Sequence, residues 1–202
     1  MKTLNILKGF HRPFSLLPAC FTNFKLNRKT NHIWSREYIF DESCEYLLDN
    51  GDQYDWNKLY GWTFGGIIRR NEQGKKRFTL SIHNDSLRIV WRNNPFTKLI
   101  ELACYYYIDG KRYYFQLATC KIGEKIKTSI EVLDNKTRIT ITTDKTYMKL
   151  MDFNESVKRK PLFGCGLYFG GNRTAPHNIT VRYNDIDYQP TYLTSDETHI
   201  IK

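Results

Sequence analysis

The stretch LIELACYYYIDGKRYYFQLA, Leu99 to Ala118, decides the fold. Two β-rich runs, Leu99–Ile108 and Tyr113–Ala118, flank Asp109-Gly110. Aspartate followed by glycine suits the positive-φ positions of a tight hairpin, so the pattern predicts two antiparallel strands. Just upstream, Leu87, Ile89 and Trp91 alternate with Ser86, Arg88, Val90 and Arg92, and Asn93-Asn94-Pro95 closes the run. Side chains two apart share one face of a strand. One face is therefore apolar core, and the other carries two guanidinium groups and a hydroxyl. Downstream, Ser129–Leu133 and Thr137–Thr142 read as a second hairpin around Asp134-Asn135-Lys136. Its Ile130, Val132, Ile139 and Ile141 fall on buried faces. Tyr147–Met151 and Ile179–Tyr183 add further strands.

Helical signals are weak, because no window of a dozen residues keeps an apolar stripe at helical spacing. Asp41–Leu48 reads as a short helical turn or an edge strand. The expected fold class is all-β: a two-sheet antiparallel β-sandwich of jelly-roll type. One such domain is expected over residues 1–188, followed by a poorly ordered tail at 189–202.

Composition narrows the function classes. The chain of 202 residues is 41% hydrophobic and 26% charged, which is globular rather than disordered. It carries 14 Tyr, 12 Phe and 4 Trp, which suit pleated surfaces and also make flat platforms for ligands. A net charge of +10 favours anionic partners. The basic runs Lys75-Lys76-Arg77 and Lys158-Arg159-Lys160 read as loops beside strands. The five cysteines form no CxxC pair, and no histidine pair stands at zinc spacing, so neither metal nor cofactor is expected. Buried free thiols suit a reducing compartment. Lys8, Gly9, His11, Arg12 and Pro13 interrupt any leader-like apolar run near the N-terminus, so a cytoplasmic location is favoured. No apolar run is long enough to predict a membrane span.

Chemistry concentrates in three segments. Asp52–Gly61 reads as a polar loop leading into a strand, with Asn57 either serving a ligand or bonding its own loop. Ser86–Arg92 presents Arg88 and Arg92, whose planar forks match carboxylate, sulfate or phosphate. The other reading pairs them with neighbouring acids such as Glu101. Leu167–Ile179 reads as strand, glycine turn, polar loop and final strand, with Asn172, Arg173 and His177 at a sheet mouth or locking their own loop. Tyr105 and Tyr107 alternate onto one face and Tyr106 onto the other. Ligand-binding candidates are therefore Arg88, Arg92, Tyr105, Tyr107, Asn172, Arg173 and His177. No catalytic residue is assigned. Arg88 and Arg92 are expected to line an open groove with at least one of Tyr105, Tyr107 and His177.

The segments DQYDWNKLYG (52–61), SLRIVWR (86–92), YYYIDGKR (105–112) and LYFGGNRTAPHNITV (167–181) resemble, in this order, a family of bacterial proteins with a concanavalin A-like jelly roll. The resemblance runs from about Lys8 to Tyr183. It implies a fold shared with lectins, laminarinase-like glycosidases and alginate-type lyases. The chain departs from the glycosidase ExDxE pattern and from the lyase QxH and YFKxGxYxQ patterns.

The leading expectation is therefore binding of a glycan, the positive charge favouring an acidic one. The alternative is a polysaccharide lyase-like enzyme, in which Arg88 or Arg92 neutralises a uronate carboxylate and His83, His177 or a tyrosine removes the adjacent proton. Nucleic acid is a less favoured partner, because no RNP, KH or zinc-finger motif occurs.

Overall fold

A computed structural model describes residues 1–14, 24–25, 32–49, 51–70, 76–80, 82–133, 137–154, 157, 160–188 and 198–201. Two sheets form a β-sandwich. One contains, in spatial order, β1 (Lys2–Ile6), β14 (Ile179–Asp185), β3 (His32–Phe40), β10 (Lys125–Val132), β11 (Thr137–Thr142), β12 (Thr146–Met151) and β15 (Thr198–Ile201). The other contains β2 (Phe24–Lys25), β13 (Leu162–Cys165), β4 (Asn57–Phe64), β7 (Ser86–Asn94), β8 (Leu99–Ile108) and β9 (Lys111–Cys120). β5 (Gly66–Arg70) and β6 (Lys76–Leu80) form a separate hairpin. The described strands pair antiparallel, except that β15 runs parallel to β12. This is the expected two-sheet jelly roll.

The Asp109-Gly110 hairpin forms as read. Ile108 pairs with Lys111, and the two turn residues have φ of 49° and 78°. Positive φ at both centres gives the turn a twist that matches its strands. Leu87, Ile89 and Trp91 of β7 enter the inter-sheet core with Tyr106, Cys104 and Leu102 of β8. Trp91 is fully buried against Phe40 of the opposite sheet, with ring centroids 5.2 Å apart.

Two irregularities break the alternation. The β4–β7 register shifts at Leu59, so Leu59 and Tyr60 both face the core. The β8–β9 register shifts at Leu117, so Leu117 and Ala118 do the same. Each bulge adds a residue to one strand and re-aims its neighbours. Lys58 and Gln116 consequently keep company with the outward residues of β7 and β8.

Several expectations are corrected. Asn57–Phe64 is a full strand, not the end of a loop. Leu167–Phe169 is no strand but makes a single bridge, Lys58 to Tyr168. Lys76 and Arg77 open strand β6 instead of lying in a loop. Asp41–Leu48 holds one 3-10 turn, Glu42–Cys44, capped by the Asp41 carboxylate. The turn at 134–136 lies outside the described residues, as do 189–197 of the expected tail. Of that tail, Thr198–Ile201 forms β15. Cys44, Cys104, Cys120 and Cys165 are free thiols, the first three buried. Among the described residues, no helix is long and apolar enough to cross a membrane.

Candidate functional site

The site grows from the outward face of β4, β7, β8 and β9. Cross-strand registry places Gly61, Arg88, Tyr105 and Tyr114 in one row, and Thr63, Ser86, Tyr107 and Arg112 in the next. A side chain on Gly61 would collide with the Leu87 carbonyl and come within 2.7 Å of Arg88 Cα and Cγ. Glycine here lets the Arg88 side chain lie flat across β4. Arg88 is 5% exposed. Its Nη2 donates to the Ile82 carbonyl at 3.3 Å and to Ser86 Oγ at 3.2 Å. Its guanidinium lies 5.3 Å from the Tyr105 ring and 5.9 Å from the Tyr107 ring. Its Nε is buried with no hydrogen-bond partner among the described residues. A buried donor left unpaired is costly, so the placement of Arg88 here is energetically unfavourable by itself.

Two further cations join it. Lys58 Nζ donates to the Trp56 carbonyl at 2.7 Å and lies 5.5 Å from the Tyr105 ring. Burial pushes its pKa down to about 8, and the Arg88 charge adds to the shift. Arg112 meets the Tyr105 phenol, which holds its pKa above the usual value. Among the described residues, Lys58, Arg88 and Arg112 have no carboxylate at salt-bridge distance. The Asp55 carboxylate acts on Lys58 and Arg112 from beyond ion-pair contact, so the three cations are only partly compensated, and an incoming anion would relieve the remaining repulsion.

Aromatic rings complete the surface. The Tyr105 and Tyr107 hydroxyls are 3.3 Å apart, and burial pushes the Tyr105 pKa up to about 12. Tyr105 therefore stays a neutral phenol at ordinary pH. His83 meets Tyr107 edge-on at 5.3 Å. Partial burial, then the Arg88 and Lys58 charges, lower the His83 pKa, which favours a neutral imidazole. Trp56, Val90, Ala103 and Tyr105 form a small second apolar cluster on this face.

The sequence candidates divide accordingly. Arg88, Tyr105 and Tyr107 meet, as the alternation implied. Arg92 is adjacent but committed elsewhere. Its Nε pairs with Glu101 at 2.6 Å, its Nη1 donates to the Tyr54 carbonyl at 2.8 Å, and it stacks on Trp56 at 4.2 Å. This is the pairing with Glu101 that stood as the other reading, and it clamps the 51–56 loop over the sheet. Asn172, Arg173 and His177 do not join the cluster. The Arg173 amide donates to Asp52 at 3.0 Å and its guanidinium lies 3.7 Å from Asp49. Asn172 is exposed beside it. His177 Nε2 lies 2.9 Å from the Ser43 carbonyl, next to β14 of the other sheet. Asn57 is a structural residue: it donates to the Tyr46 hydroxyl and accepts the Gly170 amide, at 2.8 and 2.7 Å. Sequence reading left Lys58, Arg112 and Trp56 unassigned. The bulge at Leu59 hid the phase of Lys58, and Arg112 stood too close to the turn to be read as a strand residue.

Fold and site together define a β-sandwich with a cationic, tyrosine-lined face on one sheet. No family model matches the chain, and no curated protein matches it. Among solved structures, the chain is similar to an alginate lyase from Klebsiella pneumoniae, at 10% identity and a TM-score of 0.49, over 77% of this chain and 60% of that one. It is also similar to a family 7 alginate lyase in complex with product, at 15% identity and a TM-score of 0.46, over 78% and 63%. The SPRY domain of human HERC1 is similar at 12% identity and a TM-score of 0.37, over 80% and 81%. The chain spans less than two thirds of the length of these two lyases.

Proposed function

We propose that this protein binds an acidic glycan on the outward face of the six-stranded sheet. The carrying observation is the gathering of Arg88, Lys58 and Arg112 with Tyr105 and Tyr107 on one outward face, with no carboxylate at salt-bridge distance among the described residues. A glycan carboxylate or sulfate would accept from Arg88 and draw on Lys58 and Arg112. The tyrosine rings and hydroxyls offer stacking and hydrogen bonds to the sugar. The test is calorimetric binding of a polyuronate and of a neutral glucan. Wild type is expected to bind the polyuronate alone, and Arg88→Met to lose about tenfold or more in affinity, the worth of a charged hydrogen bond. Equal binding of both glycans, or an unaffected Arg88→Met, would sink the reading.

Lys58 gives the same proposal a pH signature. Its ammonium is intact below about pH 8 and is lost above it. An anion favours the charged form, so affinity is expected to be flat below that pH and to fall above it. Lys58→Arg keeps its charge and is expected to flatten the profile; a profile identical to wild type would remove Lys58 from the site.

A lyase reaction is the second reading, and His83 favours it. A neutral imidazole beside Arg88 and Tyr107 has the protonation state of a general base, while Arg88 would neutralise the carboxylate next to the acidic proton. Ultraviolet absorbance from unsaturated products, present in wild type and absent in His83→Ala, would favour this reading over binding alone.

A further inference from the structure

We propose a second subsite for the same glycan, built by the N-terminal segment beside Tyr168; this rests on the glycan-binding reading. The segment is pinned to the 169–175 stretch by backbone bonds: Phe169 N–H donates to His11 O, Ala175 N–H to Phe10 O and Gly9 N–H to Ala175 O, at 2.8, 3.0 and 2.9 Å. His11 lies parallel on Tyr168, with centroids 5.0 Å apart and planes 7° from coplanar. Its Nδ1 sits 2.9 Å from the Phe169 carbonyl, which fixes the ring. Arg12 projects over the same tyrosine at 5.4 Å. Beside them lies a hollow of about 480 Å³, lined by Phe10, His11, Arg12, Phe14 and Tyr168 among others. That volume is in the range of small-ligand sites.

Continuity and charge assign its occupant. Tyr168 bridges to Lys58 on β4, and Lys58 Nζ lies 5.8 Å from the Tyr168 ring and 5.5 Å from Tyr105. The registered partners of Lys58 are Val90, Ala103 and Gln116, so the track from Tyr168 and Lys58 passes diagonally into the neighbouring row of Arg88, Tyr105 and Tyr114, crossing β4, β7 and β8 to β9. Neighbouring strands lie about 4.8 Å apart, so this track is roughly 19 Å long. A cation or an aromatic ring occurs at each step along it. A linked chain of acidic sugars matches that alternation of charge and ring face. Arg12 has no carboxylate at salt-bridge distance among the described residues, so it is open to a second acidic group of the chain. Phe10 is 60% exposed and offers an apolar wall to a sugar ring.

The experiment measures affinity for polyuronate oligosaccharides of increasing length. Wild type is expected to gain affinity with length. Arg12→Ala is expected to bind the shortest oligosaccharide as wild type does and to lose roughly tenfold of the gain for long ones. Tyr168→Leu, checked for folding by circular dichroism, is expected to do likewise. Lys145→Ala removes an equal charge at an exposed position elsewhere and is expected to change nothing. An unchanged length dependence in Arg12→Ala, or an equal loss in Lys145→Ala, overturns the subsite. So does concentration-dependent dimerisation abolished by Phe10→Ser, which would assign the hollow to a second copy. Failure of wild type to bind even the shortest oligosaccharide refutes the parent reading instead.

Discussion

Gly61→Ala is expected to cost about 3 kcal/mol or more of folding stability, at the upper end for an overpacked site. A Cβ at this position meets backbone on the neighbouring strand: the Leu87 carbonyl, then Arg88 Cα at 2.7 Å. Backbone in the middle of a paired sheet cannot step aside as a flexible side chain can. β4 is held by β13 on one side and β7 on the other, so a shift breaks a ladder. Arg88 Cγ, also at 2.7 Å, would be driven off β4 at the same time. Stability and glycan affinity should therefore fall together. Gly51→Ala is the control, because nothing lies within 4 Å of a Cβ there. It is expected to stay within about 0.5 kcal/mol of the parent. Urea unfolding of the two variants decides the matter, and coincident curves would mean that Arg88 does not lie across Gly61.

Trp91→Ala is expected to lose about 4 kcal/mol, the usual cost of emptying a buried indole site. Trp91 is fully buried and touches Phe40 of the opposite sheet and Tyr46 of the loop after β3. Its absence leaves a void between the layers. Trp91→Phe separates shape from polarity. The indole Nε1 is buried with no hydrogen-bond partner among the described residues, so phenylalanine removes an uncompensated donor while keeping most of the volume. Its expected loss is under about 1.5 kcal/mol. A Trp91→Phe variant as unstable as Trp91→Ala would show that the indole nitrogen is satisfied after all.

The fold was legible where alternation was clean. In Ser86–Arg92 and Thr137–Thr142 every second side chain meets the core, and Asp109-Gly110 marks its turn by chemistry alone. Strand β4 was not legible. Its polar approach, its internal glycine and the extra residue at Leu59 each imitate a loop, although Gly61 serves a long-range contact with Arg88. The grouping of the candidate site was legible for the same reason. Arg88, Tyr105 and Tyr107 follow from period two on neighbouring strands. The environment of Arg173 does not, because its amide partner Asp52 is 121 residues away. Neighbours in sequence, Arg173 and His177, thus contact separate parts of the fold, Asp52 and Asp49 in one case and the Ser43 carbonyl in the other.

Strand β9 ends the six-stranded sheet, with no further strand paired beyond it among the described residues. Such a rim is a template on which another chain can zip and seed fibres. Two features guard it. The extra residue at Leu117 distorts the rim, and Lys111 and Arg112 sit at the hairpin end, where two copies laid side by side would repel. If Arg112 also meets the proposed polyanion, the same charge carries two demands, and a saturating polyanion would weaken the protection of the rim.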